Sequence, residues 1–288
     1  MTALYGVIGD PVAHSLSPLI HKGWIREFGF DADYLAMHVP ANELGDALDT
    51  LNRRGGNGAN ITLPHKEDAL RLCDKISDRA EAIGAVNTIW RTGDGIWSGD
   101  NTDAPGFRDA LDFVLQTEDF DKELFDADGQ ALVIGAGGAS RAVAYVFGED
   151  RRSTIFCNRT PSRAEAMISV YHKGAGDRPS SQKVRAKSLE HISGYLEDCA
   201  FAVNATSLGH SGQSLNWPPG RGRLLYDLSY GVAAEAFLKP ARTAGWRTVD
   251  GLRMLVAQAA YSFEIWFGEK PDIDSAMDRC RRTLESLV

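Results

Sequence analysis

The sequence predicts an α/β protein with a doubly wound parallel sheet in its second half, and two observations support this fold class. Short apolar runs alternate with amphipathic, helix-forming segments along the 288-residue chain, and such alternation is typical of parallel sheets covered by helices. In addition, the apolar run Ala131–Ile134 leads into Gly135-Ala-Gly-Gly-Ala-Ser140, which indicates a strand, a tight turn and a helix. The length allows one large or two ordinary domains.

The composition is that of a globular protein with a net negative charge. Hydrophobic residues make up 43% of the chain and charged residues 24%, and the formal net charge is −8 at pH 7. Because nucleic acid needs a basic face that neutralises its phosphates, this charge argues against nucleic acid as the main partner. The sequence shows no targeting segment at its start and no apolar run of membrane-spanning length, so we expect a cytoplasmic protein without a membrane partner.

Cysteine and histidine spacing gives no indication of a metal site. The cysteines are far apart and form no C-x-x-C pair, so we expect buried free thiols rather than a zinc site or disulfides. The histidines of the first 70 residues lack a ligand spacing such as H-E-x-x-H, and we expect them to be structural or peripheral. The residues concerned are Cys73, Cys157, Cys199 and Cys280, and His14, His21, His38 and His65.

The first part of the chain predicts two strand–helix units, a third strand, a hairpin and a helix. Ser17-Pro18 predicts the start of the first helix and Gly29 its end. Asn42 is expected to cap the second helix, which Gly55-Gly56 would end. The predicted strands are residues 4–9, 34–39 and 58–62; the hairpin, at the edge of the sheet, pairs 85–91 with 95–97, and the helix covers 106–116.

From residue 130 onward the alternation becomes regular. The predicted strands are Ala131–Ile134, 153–157, Phe201–Asn204 and Leu224–Asp227, and the helices are 141–147 and 161–170. We expect the polar segment 171–187 to be a surface excursion before or around a short strand. Two helices, 251–268 and 272–288, end the chain, and the apolar stripe of the last one, Ile273, Met277, Cys280 and Leu284, predicts that it packs back on the N-terminal domain.

The glycine-rich turn predicts a phosphate site, because backbone N–H groups and the helix dipole attract an anion at a helix N-terminus. The alternative is an ordinary strand–helix connection, since Ser140 replaces the third glycine of the G-x-G-x-x-G pattern. The absence of a Gly-Lys-Ser/Thr ending disfavours a nucleoside-triphosphate P-loop.

The end of the next strand predicts the kind of dinucleotide. It has no acidic residue for a ribose 2′-hydroxyl, and we expect Arg159 and Arg163 to bind a 2′-phosphate instead. The alternative is that both arginines are solvated and that Thr160 only caps a helix with Pro161 at its first position.

Lys66 and Asp103 are candidates for proton transfer. Hydride transfer to a carbonyl leaves negative charge on oxygen, so the site needs a proton donor. Lys66 fits this role, and Asp103 is a natural partner. The alternatives are that Lys66 is a solvated lysine at a helix start and that Asp103 is a helix cap.

Eight motifs, in order along nearly the whole chain, resemble those of the shikimate dehydrogenase family. They are Gly9-Asp-Pro-Val-Ala-His-Ser-Leu-Ser-Pro18, Asn60-Ile-Thr-Leu-Pro-His-Lys66, Gly84-Ala-Val-Asn-Thr88, Gly99-Asp-Asn-Thr-Asp103, Gly135-Ala-Gly-Gly-Ala-Ser140, Asn158-Arg-Thr160, Asn204-Ala-Thr-Ser207 and Leu255-Val-Ala-Gln258. The resemblance implies a substrate domain of residues 1–103 and 251–288, and a Rossmann-type NADP domain of residues 104–250. It also implies that the C-terminal helices return to the substrate domain.

The activity implied by the resemblance is the reversible, NADP-dependent reduction of 3-dehydroshikimate to shikimate, in aromatic amino acid biosynthesis and without a metal. Lys66 and Asp103 would be catalytic. The implied substrate-binding residues are Ser15, Ser17 and Tyr230 for the carboxylate, and Asn60, Thr62, Asn87 and Gln258, with Asp103, for the ring hydroxyls. The implied cofactor-binding residues are Gly135, Gly137, Gly138, Ala139, Ser140, Asn158, Arg159, Thr160, Arg163, Asn204, Ala205, Thr206, Leu228, Gly251 and Met254.

Each of these residues also has a purely structural alternative. In that interpretation Ser17 caps a helix, Asn87 is a turn residue and Gln258 is a buried helix residue. Three departures from the family pattern add further alternatives. Gly231 follows Tyr230 where proline is common, Arg253 stands where many members have glycine, and the segment 171–187 is longer. A paralogue that acts on quinate or an amino-shikimate, with NAD as the other cofactor choice, stays open, as does a non-catalytic sensor of NADPH or shikimate. We expect a monomer or homodimer.

Overall fold

The computed structural model describes residues 2–93, 95–117, 129–176 and 184–286. The chain divides into two compact units. The first unit comprises the residues up to Gly106 together with those from Leu255 onward, and the second unit is Phe107–Met254. The chain passes from one unit to the other within two helices, α5 (Asp103–Thr117) and α10 (Leu252–Phe267).

The first unit contains a six-stranded sheet in the order β2-β1-β3-β5-β6-β4. Strand β1 is parallel to β2 and β3, whereas β5 is antiparallel to β3 and β6. Its strands are β1 (Ala3–Gly9), β2 (Ala32–His38), β3 (Gly56–Ile61), β4 (Lys75–Ile76), β5 (Thr88–Arg91) and β6 (Trp97–Asp100), and its other N-terminal helices are α1 (Ser17–Phe28), α2 (Leu44–Arg53), α3 (Lys66–Leu72) and α4 (Asp78–Ile83).

Several local predictions for this unit need correction. Asn42 does not cap α2, since it adopts a left-handed φ of 72°, a conformation that asparagine tolerates in turns, and Glu43 holds the cap position without a side-chain bond. Gly55, at φ 71°, ends the connection after α2, but Gly56 already belongs to β3. The hairpin is present, but its second strand is Trp97–Asp100 and β4 covers its edge. Elements α3, β4 and α4 were not predicted.

The last helix, α11 (Ile273–Glu285), packs on α1 of the first unit, as its apolar stripe predicts. Asp272 caps α11 through bonds from the N–H groups of Asp274 and Ser275. The buried Trp24 of α1 donates its indole N–H to the Asp272 carbonyl oxygen at 3.2 Å, and Arg279 of α11 pairs with Glu27. The C-terminal residues therefore complete the unit that the N-terminal residues begin.

The second unit contains a six-stranded sheet in the order β12-β11-β10-β7-β8-β9, and all its strand pairs are parallel. The strand order reverses between β7 and β10, which confirms the doubly wound fold and places a ligand crevice at the carboxyl ends of these strands. The strands are β7 (Ala131–Ile134), β8 (Thr154–Asn158), β9 (Val184–Ser188), β10 (Phe201–Asn204), β11 (Leu224–Asp227) and β12 (Arg247–Val249), and the helices are α6 (Gly138–Glu149), α7 (Pro161–Ala175), α8 (Ile192–Asp198) and α9 (Gly231–Thr243).

The prediction of a surface excursion over 171–187 is wrong for its first residues. Helix α7 continues to Ala175, because Tyr171 is fully buried and extends the apolar face of the helix. The expected short strand is β9, while residues 177–183 lie outside the described part of the chain. Helices α8 and α9 were not predicted. Within the described ranges, no helix is long and apolar enough to cross a membrane.

Candidate functional site

A lysine and an aspartate form a largely buried ion pair in the first unit. Lys66, the first residue of α3, places its Nζ 2.5 Å from Asp103 Oδ2, and the two side chains are 14% and 7% exposed. Lys66 is therefore not a solvated lysine. Asp103 is not the cap of α5 either, because Asn101 Oδ1 accepts the Ala104 N–H at 3.2 Å. The Asp103 carboxylate is thus left to bind Lys66.

Asn87 fixes the other oxygen of the same carboxylate. Its Nδ2 donates to Asp103 Oδ1 at 2.8 Å, and its Oδ1 accepts the Thr102 backbone N–H at 2.6 Å. A backbone N–H can only donate and a carboxylate can only accept, so the orientation of the Asn87 amide is set at both ends. Each oxygen of Asp103 therefore has its own donor, in bonds strengthened by charge.

Gln258 of α10 lies beside this pair. Its Oε1 is 3.3 Å from Asn87 Nδ2, and its Nε2 donates to the Leu255 carbonyl at 2.7 Å. Only 7% of the residue is exposed. One N–H of the Gln258 amide is left for a ligand, because Leu255 takes the other.

The serines and the threonine predicted for substrate binding follow the parallel strands β1 and β3. Ser17 is 4% exposed and lies in the first turn of α1, where Leu16 holds the cap position. Its N–H donates to Ser15 Oγ at 3.2 Å. Thr62 directly follows β3, which is paired with β1. These hydroxyls share the carboxyl-terminal edge of the first sheet, and Ser17 is not a helix cap.

The glycine turn of the second unit leaves the N-terminus of α6 open. Gly135 has a φ of 111°, and a Cβ on it would lie 2.9 Å from the Ala205 carbonyl oxygen. By contrast, a Cβ on Gly137 would meet no atom within 4 Å. The Gly137 N–H donates to Oγ of the fully buried Ser140 at 3.2 Å. Ser140 therefore stabilises the turn from its buried side. Gly138 and Ala139, on the other side of the turn at the N-terminus of α6, are half-exposed.

The ends of β10 and β11 are joined by a buried carboxyl group. Asn204 Nδ2 donates to Asp227 Oδ1 at 3.0 Å, and the Ser229 N–H reaches the same oxygen at 3.0 Å. Asn204 Oδ1 in turn accepts the Thr206 hydroxyl at 2.7 Å. Asp227 thereby fixes the turns that follow both strands. The sequence pattern predicted Asp227 only as the end of a strand.

Leu228 and Gly251 come together beside these turns. The Gly251 N–H donates to the Ser229 carbonyl at 2.7 Å, and a Cβ on Gly251 would lie 2.2 Å from the Leu228 carbonyl oxygen. Met254, 6% exposed, follows one turn later. The Arg253 guanidinium lies over the Phe113 ring of α5, 3.4 Å from its centroid, so this arginine packs against α5.

Arg159 and Arg163 lie after β8 and in the first turn of α7, and both are exposed. Neither forms an ion pair with a carboxylate of the described residues. Thr160 holds the cap position of α7 without a side-chain bond, and Asn158 Nδ2 donates to its carbonyl at 3.0 Å. None of these contacts involves the guanidinium group of Arg159 or Arg163.

Tyr230 is half-buried at the cap position of α9, in the second unit.

Three buried hydroxyl residues of the first site were not predicted, although two of them lie in the motifs that resemble the family. Thr88 and Thr102 follow Asn87 and Asn101, and Ser262 lies one helical turn after Gln258. All three are fully buried. The repeated Asn-Thr pair is the signal that could have found two of them. In the described part of the chain, no group of three or more His, Cys, Asp or Glu side chains is arranged to hold a metal ion.

Asp227 gives a testable pH dependence of stability. Burial raises its pKa from the ordinary 3.8 to about 7, so the folded state holds a proton that the unfolded state releases. Stability is therefore lost as the pH rises from about 4 to about 7. Asp227→Asn cannot ionise, so it does not lose this stability. We therefore expect the unfolding free energy of the variant minus that of the wild type to increase by about 2–4 kcal/mol between pH 4 and pH 8. Urea unfolding at a series of pH values measures this. Asp198→Asn, at an exposed position of the same unit, is the matched control. A difference for Asp227→Asn that does not vary with pH would contradict the assignment.

The doubly wound sheet with its glycine turn, and the buried lysine–aspartate pair of the other unit, define an α/β dehydrogenase that uses a dinucleotide. The chain is 48% identical over 286 residues to the shikimate dehydrogenase (NADP(+)) of Hyphomonas neptunium, and the match covers 99% of both chains. The chain belongs to the shikimate dehydrogenase family.

Family models and solved structures agree with this membership. The shikimate dehydrogenase substrate binding domain matches residues 7–89, and the shikimate 5'-dehydrogenase C-terminal domain matches residues 251–281. A shikimate dehydrogenase crystallised with NADP+ is similar at a TM-score of 0.82 and 31% identity, covering 98% of this chain and 96% of that one. The Thermus thermophilus shikimate 5-dehydrogenase, in complex with NADP(H) and shikimate, is similar at a TM-score of 0.77 and 34% identity, covering 97% and 99%.

Proposed function

We propose that this protein is an NADP-dependent shikimate dehydrogenase, which reversibly reduces 3-dehydroshikimate to shikimate in aromatic amino acid biosynthesis. The observation that carries the proposal is the buried pair of Lys66 and Asp103, 2.5 Å apart, with Asn87 on the second carboxylate oxygen. A proton-donating group held in this way is what the reduction of a ring ketone requires. Family membership supplies the substrate class.

The first unit supplies most of the substrate-binding groups. We assign Ser15 and Ser17 to the substrate carboxylate, because hydroxyl groups donate hydrogen bonds to an anion, and we add Tyr230 of the second unit to this set. We assign the ring hydroxyls to Asn60, Thr62, Asn87, Asp103 and Gln258. Because these residues are polar and mostly buried, a substrate that lacks a hydroxyl leaves a protein group unpaired, which gives strong discrimination.

The residues of the second unit fit NADP. The N-terminus of α6, with the open space beside Gly137, suits a pyrophosphate, and Gly135, Gly138, Ala139 and Ser140 form the rest of that turn. Arg159 and Arg163 suit a 2′-phosphate, because guanidinium groups pair with phosphate oxygens. We assign the nicotinamide end to Leu228, Gly251 and Met254, and the remaining contacts to Asn158, Thr160, Asn204, Ala205 and Thr206. When bound, NADPH supplies the hydride.

Lys66 moves the proton that accompanies the hydride. In the direction of reduction, negative charge develops on the carbonyl oxygen, and the Lys66 ammonium donates a proton to it. Asp103 orients the ammonium through its Oδ2, while Asn87 prevents the carboxylate from rotating. In the direction of oxidation the same lysine takes the proton back, with the Asp103 carboxylate next to it.

An assay with two substrates and two cofactors tests the proposal. We expect kcat/KM to be highest for shikimate with NADP, compared with quinate and with NAD. A preference for quinate would show the paralogue instead. Tight binding of NADPH without turnover of any of these substrates would show a sensor.

We also infer a cytoplasmic enzyme that works as a monomer or homodimer. All four cysteines are free thiols, which fits a reducing compartment. Light scattering of the purified protein measures the oligomeric state, and any assembly larger than a dimer would contradict the inference.

A further inference from the structure

The amide of Asn60 is held by buried partners on both of its polar atoms. Its Nδ2 donates to Ser262 Oγ at 2.7 Å and to Thr88 Oγ1 at 3.2 Å. Its Oδ1 accepts the Tyr34 hydroxyl at 2.7 Å. Asn60 itself is 5% exposed. An asparagine amide has two N–H donors and two acceptor lone pairs, so these contacts use both donors and one lone pair.

The direction of these bonds follows from their neighbours. The Ser262 hydroxyl donates to the Gln258 carbonyl at 3.1 Å, so its oxygen is left to accept from Asn60. The Thr88 hydroxyl likewise donates to Asn87 Oδ1 at 3.1 Å. Asn60 Nδ2 also lies 3.4 Å from the Asn87 backbone carbonyl oxygen. A carbonyl can only accept, so the NH₂ group faces this side and Oδ1 faces Tyr34.

Tyr34 is built to keep its proton in this position. It is fully buried, and its ring stacks on His21 with centroids 4.3 Å apart and planes within 9°. Burial raises the pKa of Tyr34 well above the ordinary 10, and hydrogen bonding with Ser17 only partly opposes this. The Tyr34 hydroxyl therefore keeps its proton and donates it to Asn60 Oδ1.

We propose that Tyr34 is a positioning residue of the substrate site: together with Ser262 it holds the Asn60 amide so that only one lone pair of Oδ1 is left for a ligand hydroxyl. This inference rests on the proposed function in that Asn60 contacts the substrate. It adds a specificity rule. A ligand group that donates a hydrogen bond is accepted beside Asn60, whereas a carbonyl or carboxylate oxygen there would face another oxygen.

The test replaces only the hydroxyl. Tyr34→Phe keeps the ring that stacks on His21, and Tyr171→Phe, an equally buried tyrosine in the second unit, is the matched control. For Tyr34→Phe we expect KM for shikimate to rise roughly 3- to 10-fold, with kcat changed less than about 2-fold and KM for NADP unchanged. Tyr171→Phe should leave all three constants unchanged.

Substrate analogues separate positioning from a general structural effect. With 4-deoxy- and 5-deoxyshikimate, we expect the KM penalty of Tyr34→Phe to vanish for the analogue that lacks the hydroxyl bound by Asn60. Ser262→Ala, which removes the other partner of Asn60, should give the same pattern. An equal penalty for shikimate and both analogues, or no penalty at all, would overturn the proposal.

Nuclear magnetic resonance of the Asn60 side-chain NH₂ group tests the positioning without activity. We expect its hydrogen exchange to be at least about 10-fold faster in Tyr34→Phe than in the wild type or in Tyr171→Phe, since one bond to the amide is lost. If the wild type does not oxidise shikimate, the proposed function fails, and this exchange rate alone decides the role of Tyr34. Unchanged exchange would overturn that role.

Discussion

Lys66→Ala is expected to lower kcat for shikimate oxidation about 10²- to 10⁴-fold. The variant loses the group that exchanges a proton with the substrate oxygen, and a general acid–base residue contributes about this much to a rate. It also leaves the Asp103 carboxylate, 7% exposed, without its cation. Steady-state kinetics in both directions, with saturating NADP or NADPH, measures the loss.

Two measurements separate this effect from damage to the fold. The Kd for NADPH should be unchanged, because Lys66 lies in the first unit and the proposed cofactor groups lie in the second. Lys22→Ala, which removes a half-exposed lysine that pairs with Asp33 at 2.8 Å, should keep full activity. A Lys66→Ala enzyme with undiminished turnover would show that another group moves the proton.

Sequence patterns predicted the fold best where the alternation was regular. The strands β7, β10 and β11 lie where the apolar runs place them, since buried parallel strands are continuous apolar runs. The short elements α3, β4 and α4 were missed because segments of two to seven residues carry too little periodicity. Asn42 shows a second cause: asparagine suits both a helix cap and a left-handed turn, and the chain uses the turn.

The family resemblance proposed the residues of the candidate site but not their contacts. Lys66 and Asp103 were proposed from the chemistry of proton transfer, yet the choice between an ion pair and two separate helix-end residues depended on the 2.5 Å contact. The bond between Asn60 and Ser262 joins residues 202 positions apart. No local pattern encodes such a pair. Buried serine and threonine hydroxyls are also hard to distinguish from ordinary core residues, because they are small and uncharged.

Removing Arg159 and Arg163, which follow β8, is expected to change the cofactor preference. In Arg159→Ala/Arg163→Ala we expect kcat/KM for NADP to fall about 10²-fold or more, while kcat/KM for NAD changes less than about 3-fold. Hydrogen bonds to a charged group contribute about 1.5–3 kcal/mol each, and only NADP has the 2′-phosphate that these guanidinium groups would bind. Each single variant should show part of the loss. Kinetics with both cofactors measures the ratio.

The control must remove an arginine without touching the phosphate. Arg242 lies in the same unit and pairs with Glu235 at the surface. The variant Arg242→Ala should leave the preference for NADP unchanged. Raising the salt concentration should weaken NADP binding to the wild type more than to the double variant, because the ionic contacts are exposed and therefore screened. Equal losses for NADP and NAD would mean that the arginines act on the fold of the loop. A wild type that prefers NAD would mean that they do not bind a 2′-phosphate at all.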